Sequence, residues 1–323
     1  MKKSCIILTF SLLCYFASAQ SDRLTKAEKA AIVTGIAKNL EANYVNLDTA
    51  QKMSRYIEQE LRHGAYDTIT SPKVFAVRLT SDLLSVYHDG HLSIDYNPAF
   101  AGSTGQVDTA AEHKRFRNFQ RTHNFGFDKA EMLSGGIGYL KIGGFFPPDE
   151  EGKAMAMAAF RFVSNARALI IDLRENHGGD PSMVSYLCGF LFSRRIHLND
   201  LYTRSSHSLE TFWASPNTDL TTLQNIPVYI LTSKQTFSAG EEFTYDLKTQ
   251  KRATVVGEAT GGGAHPVRSF PVANGFVANI PFARAINPVT KTDWESTGVQ
   301  PDIAAPADQA LEVTLKLAGA AKK

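Results

Sequence analysis

Apolar side chains between residues 21 and 88 recur every three or four positions, the spacing of a single helix face. Ile32, Ile36, Leu40 and Tyr44 stand four apart behind Thr25-x-x-Glu28, a capping box that marks a helix start. Met53, Tyr56, Ile57 and Leu61 predict a second helix. Ser71-Pro72, with proline in its favoured first-turn position, opens a third that carries Phe75, Leu79, Leu83 and Val86. Residues 97–134 are mixed and polar, with "GSTG" and the basic "EHKRFRNFQRTH", and predict a solvated helix or a connecting loop. From Gly135 onward strand and helix patterns alternate. Strands are expected at Gly138–Ile142, Ala168–Leu173, Val228–Thr232 and Ala253–Val256, and helices at Glu150–Val163, Pro181–Phe192 and Ser238–Lys248. Such alternation implies a mostly parallel sheet with helix-covered faces. Residues 267–283 suit a hairpin and Pro306–Ala318 a closing helix. The expected division is therefore a helical unit at 20–96, a connecting segment at 97–134 and an α/β unit at 135–323.

The first nineteen residues change that picture only by removal. Lys2 and Lys3, an apolar run from Cys5 to Phe16 and Ala17-Ser18-Ala19 read as a secretory signal peptide, which predicts a secreted or periplasmic protein. Without that segment 32 basic residues face 32 acidic ones, so no charge excess points to nucleic acid or an anionic membrane. No second long apolar stretch predicts stable membrane insertion. Of the three cysteines Cys188 alone stays, which excludes an intramolecular disulfide and suits a small buried hydrophobe.

Candidate chemistry centres on "LTSKQTFSAGEEF", where a strand hands over to a helix at Ser238. Ser238 with Glu241 three residues on is a capping box. The same position also suits a nucleophile, because backbone N–H groups at a helix start can face developing negative charge. Three other stretches bear on it. "LIIDLRENHGGDPS" ends a buried strand in Gly178-Gly179, a turn that lets backbone approach a ligand closely. No Gly-Lys-Ser/Thr follows, so it is not a phosphate loop, and no cofactor is expected. "YHDGHLS" holds His88 and His91 at metal-binding spacing, but no third ligand of metal type lies nearby, so a metal site is not expected. "KTDWESTGVQPDI" places Glu295 before a turn.

Asp172-Leu-Arg-x-Asn176-x-Gly178-Gly179, Phe237-Ser-Ala-Gly-Glu241, "RATVVGEATGG" and Gly298-Val-x-Pro-Asp302 stand in register with one family. Over residues 135–305 the chain resembles the C-terminal processing (tail-specific) serine peptidases, with the tricorn protease core and interphotoreceptor retinoid-binding protein as relatives. The resemblance implies an α/β, crotonase-like catalytic core and Ser238 as nucleophile. The tail-specific branch activates its serine with a lysine where this chain has Gly263, and no lysine lies between Lys251 and Lys291. The tricorn-like branch uses a histidine near the end of a helical N-terminal domain, which makes His91 the general base. Glu295 is the family-matched group to orient it and Asp89 the local one. Gly90 stands where the tricorn core has a serine beside its histidine.

The oxyanion donors implied are the N–H groups of Gly178 and Ala239. Residues 97–134 are too few for the peptide-binding PDZ module of the tail-specific branch. The expected partner is a peptide or unfolded protein, added as a strand along Gly261, Gly262 and Gly263; a flexible hairpin connection is the plain alternative for that loop. The rival function is a non-catalytic binding module for apolar small ligands or peptides on the same fold.

Overall fold

The computed structural model describes residues 23–101 and 109–320. The segment read as a signal peptide lies outside them. Three helices come first: α1 (Lys26–Asn43), α2 (Leu47–Arg62) and α3 (Pro72–Val86). Thr25 caps α1 with both halves of its box formed, and the α1 face of Ile32, Ile36 and Leu40 is fully buried. Strand β1 (Ser93–Tyr96), a short helix α4 (Pro98–Ala101) and helix α5 (Thr109–Thr122) follow. The remainder comprises β2 (Phe127–Leu133), β3 (Ile137–Ile142), α6 (Glu150–Phe162), β4 (Ala168–Asp172), α7 (Pro181–Cys188), β5 (Ile196–Thr203), β6 (Ser208–Ala214), β7 (Val228–Thr232), α8 (Ala239–Thr249), β8 (Thr254–Gly257), β9 (Val267–Pro271), β10 (Phe276–Pro281), β11 (Ala283–Ile286), β12 (Ile303–Ala304) and α9 (Ala310–Ala320).

The central sheet has six strands in the order β12-β8-β7-β4-β3-β2. All its pairs are parallel except the edge pair β2–β3. Strand β4 is buried at every position, as a strand covered on both faces must be. One face packs on α6, α7 and α8 through residues such as Phe160, Leu187 and Phe243, and the other on α9 through Ala310 and Ala318. Three features differ from the sequence expectation. Residues 127–133 are a strand of this sheet and not part of a connection. Residues 196–214 form an antiparallel hairpin, β5–β6, which β11 joins as a third strand. Helix α7 also stops at Cys188, four residues before the expected end; Gly189, which follows it, packs so closely on the Ser215 carbonyl that a Cβ would overlap it.

The hairpin expected at 267–283 does form, as β9–β10, but it pairs with β1 and packs on the three N-terminal helices. Phe276, Ala278 and Ile280 share one core with Ile36, Leu40, Phe75 and Leu83. Phe276 is fully buried, with ring centroids 5.9 Å from Phe75 and 5.3 Å from Tyr96. The N-terminal helices therefore close their core with residues supplied some two hundred positions later. Phe276→Ala should cost about 3–5 kcal/mol in chemical denaturation. A loss under about 1 kcal/mol would show that the hairpin is not part of that core.

Candidate active site

Strand β7 is apolar and buried, and the five residues after it are pinned before Ser238 arrives. Thr236 Oγ1 donates to the Leu173 carbonyl at 2.7 Å, and Phe237 N–H donates to the Asn176 carbonyl at 3.0 Å. Ser238 then takes φ 53° and ψ −122°, a conformation that costs a side-chain-bearing residue about 1–3 kcal/mol. The Glu241 carboxylate accepts the Ser238 N–H at 2.9 Å, so the acidic half of the expected capping box is present. The Glu241 N–H donates to the Ser238 carbonyl at 2.8 Å, and although the Ser238 hydroxyl stands in the capping position it makes no hydrogen bond to helix α8. It is left for other work.

The glycine turn after β4 packs directly on this elbow. Asn176, fully buried, donates to the Ile142 carbonyl and accepts the Gly178 N–H at 2.9 Å. That bond corrects the oxyanion assignment, since a donor spent on Asn176 cannot serve a substrate. Gly178 instead supplies close approach: with φ +98°, a Cβ there would stand 2.7 Å from Ser238 Cβ. The next residue, Gly179, faces the cavity, and among the described residues neither its N–H nor that of Ala239 has a hydrogen-bond partner.

His91 lines the same cavity as Ser238, Gly179 and Ala239. Its backbone N–H donates to Asp89 Oδ1 at 3.1 Å, and its ring lies against Phe237 with centroids 4.6 Å apart. His91 Nδ1 is buried with no partner, and no hydrogen bond joins the ring to Ser238. Burial lowers the His91 pKa below its ordinary value, opposed by the Asp89 charge. His88, by contrast, is exposed. No lysine lines the cavity.

Glu295 does not reach the His91 ring. Its Oε2 accepts the Ala264 N–H at 2.6 Å and lies 3.6 Å from His265 Nδ1, while its Oε1 is buried without a partner. Burial pushes Glu295 up to about 7, with His265 opposing. His265 was not among the sequence candidates, because a lone histidine after a glycine run carries no spacing signal. Its Nδ1 pairs with Asp89 Oδ2 at 2.8 Å, and the same carboxylate accepts the Tyr44 hydroxyl at 3.0 Å. Asp89 is thus the fixed point, buried completely, tying His265, Tyr44 and the His91 backbone together. Among the described residues Asp89, His265 and Glu295 are the one group close enough to share a cation, but the ring nitrogen is already engaged by Asp89.

The glycines at 261–263 are not open to a substrate strand. Gly261 N–H donates to Thr236, and those of Gly262 and Gly263 donate to Glu241 at 2.7 and 2.8 Å. The Gly262 carbonyl accepts from Ser296 N–H and that of Gly263 from Trp294 Nε1. The reason for glycine here is room. A Cβ on Gly261 would stand 2.8 Å from the Phe237 ring, Gly262 has φ +84°, and a Cβ on Gly263 would overlap Phe237 and lie 2.9 Å from His91 Cε1. Gly263→Ala should therefore destabilise the fold by about 1–3 kcal/mol and shift the NMR resonance of His91 Cε1–H. An equally stable variant with an unmoved His91 resonance would contradict this packing.

With this geometry in hand, comparison with known proteins is informative. Residues 136–305 match the model of peptidase family S41, and residues 17–116 that of the N-terminal domain of peptidase S41 in eukaryotic IRBP. The chloroplastic carboxyl-terminal-processing peptidase 2 of Arabidopsis thaliana is 29% identical over 180 residues, covering 51% of this chain. The match spans only 31% of that relative's length. Among solved structures, a candidate peptidase from Parabacteroides merdae aligns over 90% of this chain and 96% of its own, with a TM-score of 0.61 at 18% identity. The tricorn protease aligns over 92% of this chain and 36% of its own, with a TM-score of 0.57 at 15% identity. At such identities the structural likeness is one of fold. The family match, which spans just over half the sequence and contains Ser238 in its elbow, is the stronger result: the chain belongs to peptidase family S41.

Proposed function

We propose that this chain is an exported serine peptidase with a crotonase-like catalytic core, acting on peptides or unfolded protein segments. Ser238 attacks the peptide carbonyl, and His91 accepts the hydroxyl proton and returns it to the leaving amine. The developing oxyanion is held by the free N–H groups of Ala239 and Gly179. Losing one such donor typically costs about 2.7–4 kcal/mol of transition-state stabilisation. The observation that carries the reading is a serine at positive φ, with no cap bond to its hydroxyl, in one cavity with a desolvated histidine. A structural cap has no use for that strain, and neither does a binding module for apolar ligands.

In this proposal Asp89 and Glu295 act on His91 indirectly. Asp89 fixes the backbone of His91, and His265 bridges Asp89 towards Glu295, so the carboxylates position the base loop without orienting the ring. Export rests on the apolar leader and small-residue cleavage site of the sequence. Among the described residues no helix is long and apolar enough to cross a membrane.

The test is labelling by a neutral fluorophosphonate. Ser238→Ala should abolish it, His91→Ala should reduce it by at least about a hundredfold, and His88→Ala should leave it near normal. Labelling of Ser238 that survives His91→Ala would remove His91 as the base. Absence of any labelling in the parent protein would remove the nucleophile assignment.

A further inference from the structure

The cavity beside Ser238 has about 190 Å³, room for one amino-acid side chain and too little for a drug-sized ligand. Its walls are largely apolar, with Leu201, Ala285, Pro266 and Trp294, and one ionisable side chain besides His91 faces it: Glu242. Glu242 sits one turn into α8, 6% exposed, with one carboxylate oxygen accepting from Asn199 Nδ2 at 3.2 Å. Asn199 itself is committed, since its Oδ1 accepts the Ile286 N–H. One turn further along α8, Asp246 is fully buried and keeps its Oδ2 without a partner. Asp180, at the start of α7, adds to the negative field on Glu242.

These acids lack a counter-charge. Among the described residues no lysine, arginine or histidine forms an ion pair with Glu242 or Asp246, and no cation acts on either titration. Burial, with Asp180 adding to it, pushes Glu242 up to about 7. A buried carboxylate without a cation is expensive to ionise, so it either holds a proton or meets a cation supplied from outside, and Glu242 stands in the wall of a cavity that a cationic side chain could enter. We propose that this cavity is a subsite for a cationic side chain of the substrate, arginine or lysine, selected by Glu242. The aliphatic stem would lie along Leu201, Ala285 and Trp294 while the charged head meets the carboxylate. An acid in the wall of a specificity pocket is an established way to select a basic residue. The proposal rests on the peptidase reading for its meaning as a substrate subsite, but the cation site itself can be tested without catalysis.

Trp294 lines the cavity and only one other tryptophan, Trp213, is present, so Trp213→Phe isolates its fluorescence. In that background n-butylguanidinium should bind at least about tenfold more tightly than the uncharged n-butylurea, and Glu242→Gln should bring the ratio to about one. Equal affinities in the parent protein overturn the proposal even if Glu242→Gln does not fold, and so does a ratio that survives Glu242→Gln. The second arm compares cleavage of peptides carrying arginine or citrulline at the tested position. Discrimination in kcat/KM that disappears in Glu242→Gln supports the substrate subsite. A cation preference in binding, with no labelling of Ser238, would keep the cation site and reject the peptidase reading.

Discussion

Glu241 accepts four hydrogen bonds inside the protein, and the geometry of the candidate site depends on them. Its carboxylate takes the N–H of Ser238, Gly262 and Gly263 and the Thr260 hydroxyl, and it is fully buried. One side chain thereby fixes the serine elbow at its back and the glycine segment at its front. Burial pushes the carboxyl pKa upward while the four donors pull it down. Removing the carboxylate would leave buried donors unpaired, at about 1–3 kcal/mol each. The triple glycine follows from the same arrangement: the chain must pass close enough to reach Glu241 while clearing Phe237 and His91.

A second buried carboxylate plays the matching part for His91, the proposed base. Asp89 receives Tyr44 from just past the end of α1, His265 from the far end of the glycine segment and the backbone of His91. The N-terminal helices are thus tied to the sheet-bearing part of the chain at the point where the histidine must be presented. The two carboxylates hold complementary halves of the candidate site, each through the backbone N–H of the residue proposed to act, Ser238 for Glu241 and His91 for Asp89. His91 is left with its ring against Phe237 and an unpaired, buried Nδ1, an arrangement that favours the neutral imidazole a general base requires.

The elements with a strong local period were legible in the sequence. The three N-terminal helices, strands β3, β4 and β7 and helices α6 and α8 all lie where apolar spacing and caps predict them. The handover at Ser238 was legible for the same reason, with Glu241 three residues on. What escaped depends on features that a local apolar period does not carry. Strands β5 and β6 alternate weakly because β6 shows solvent four of its seven side chains in a row. The β9–β10 hairpin was visible, but its packing on helices at the other end of the chain was not. His265 gains its meaning only from Asp89, 176 positions away. Whether Gly178 or Gly179 offers a free N–H depends on the rotamer of Asn176, which no spacing encodes.

The account turns on a strained serine activated by a desolvated, neutral histidine. Its most direct test is the pH dependence of the second-order rate constant for fluorophosphonate labelling of Ser238. Protonated imidazole cannot accept the serine proton, so the rate should fall as pH drops through the His91 pKa. Burial lowers that pKa, so the inflection should lie below 6.5, the ordinary histidine value. A midpoint below 6.5 that disappears in His91→Ala is the predicted result. A midpoint well above 7, or one that persists without His91, would contradict the account.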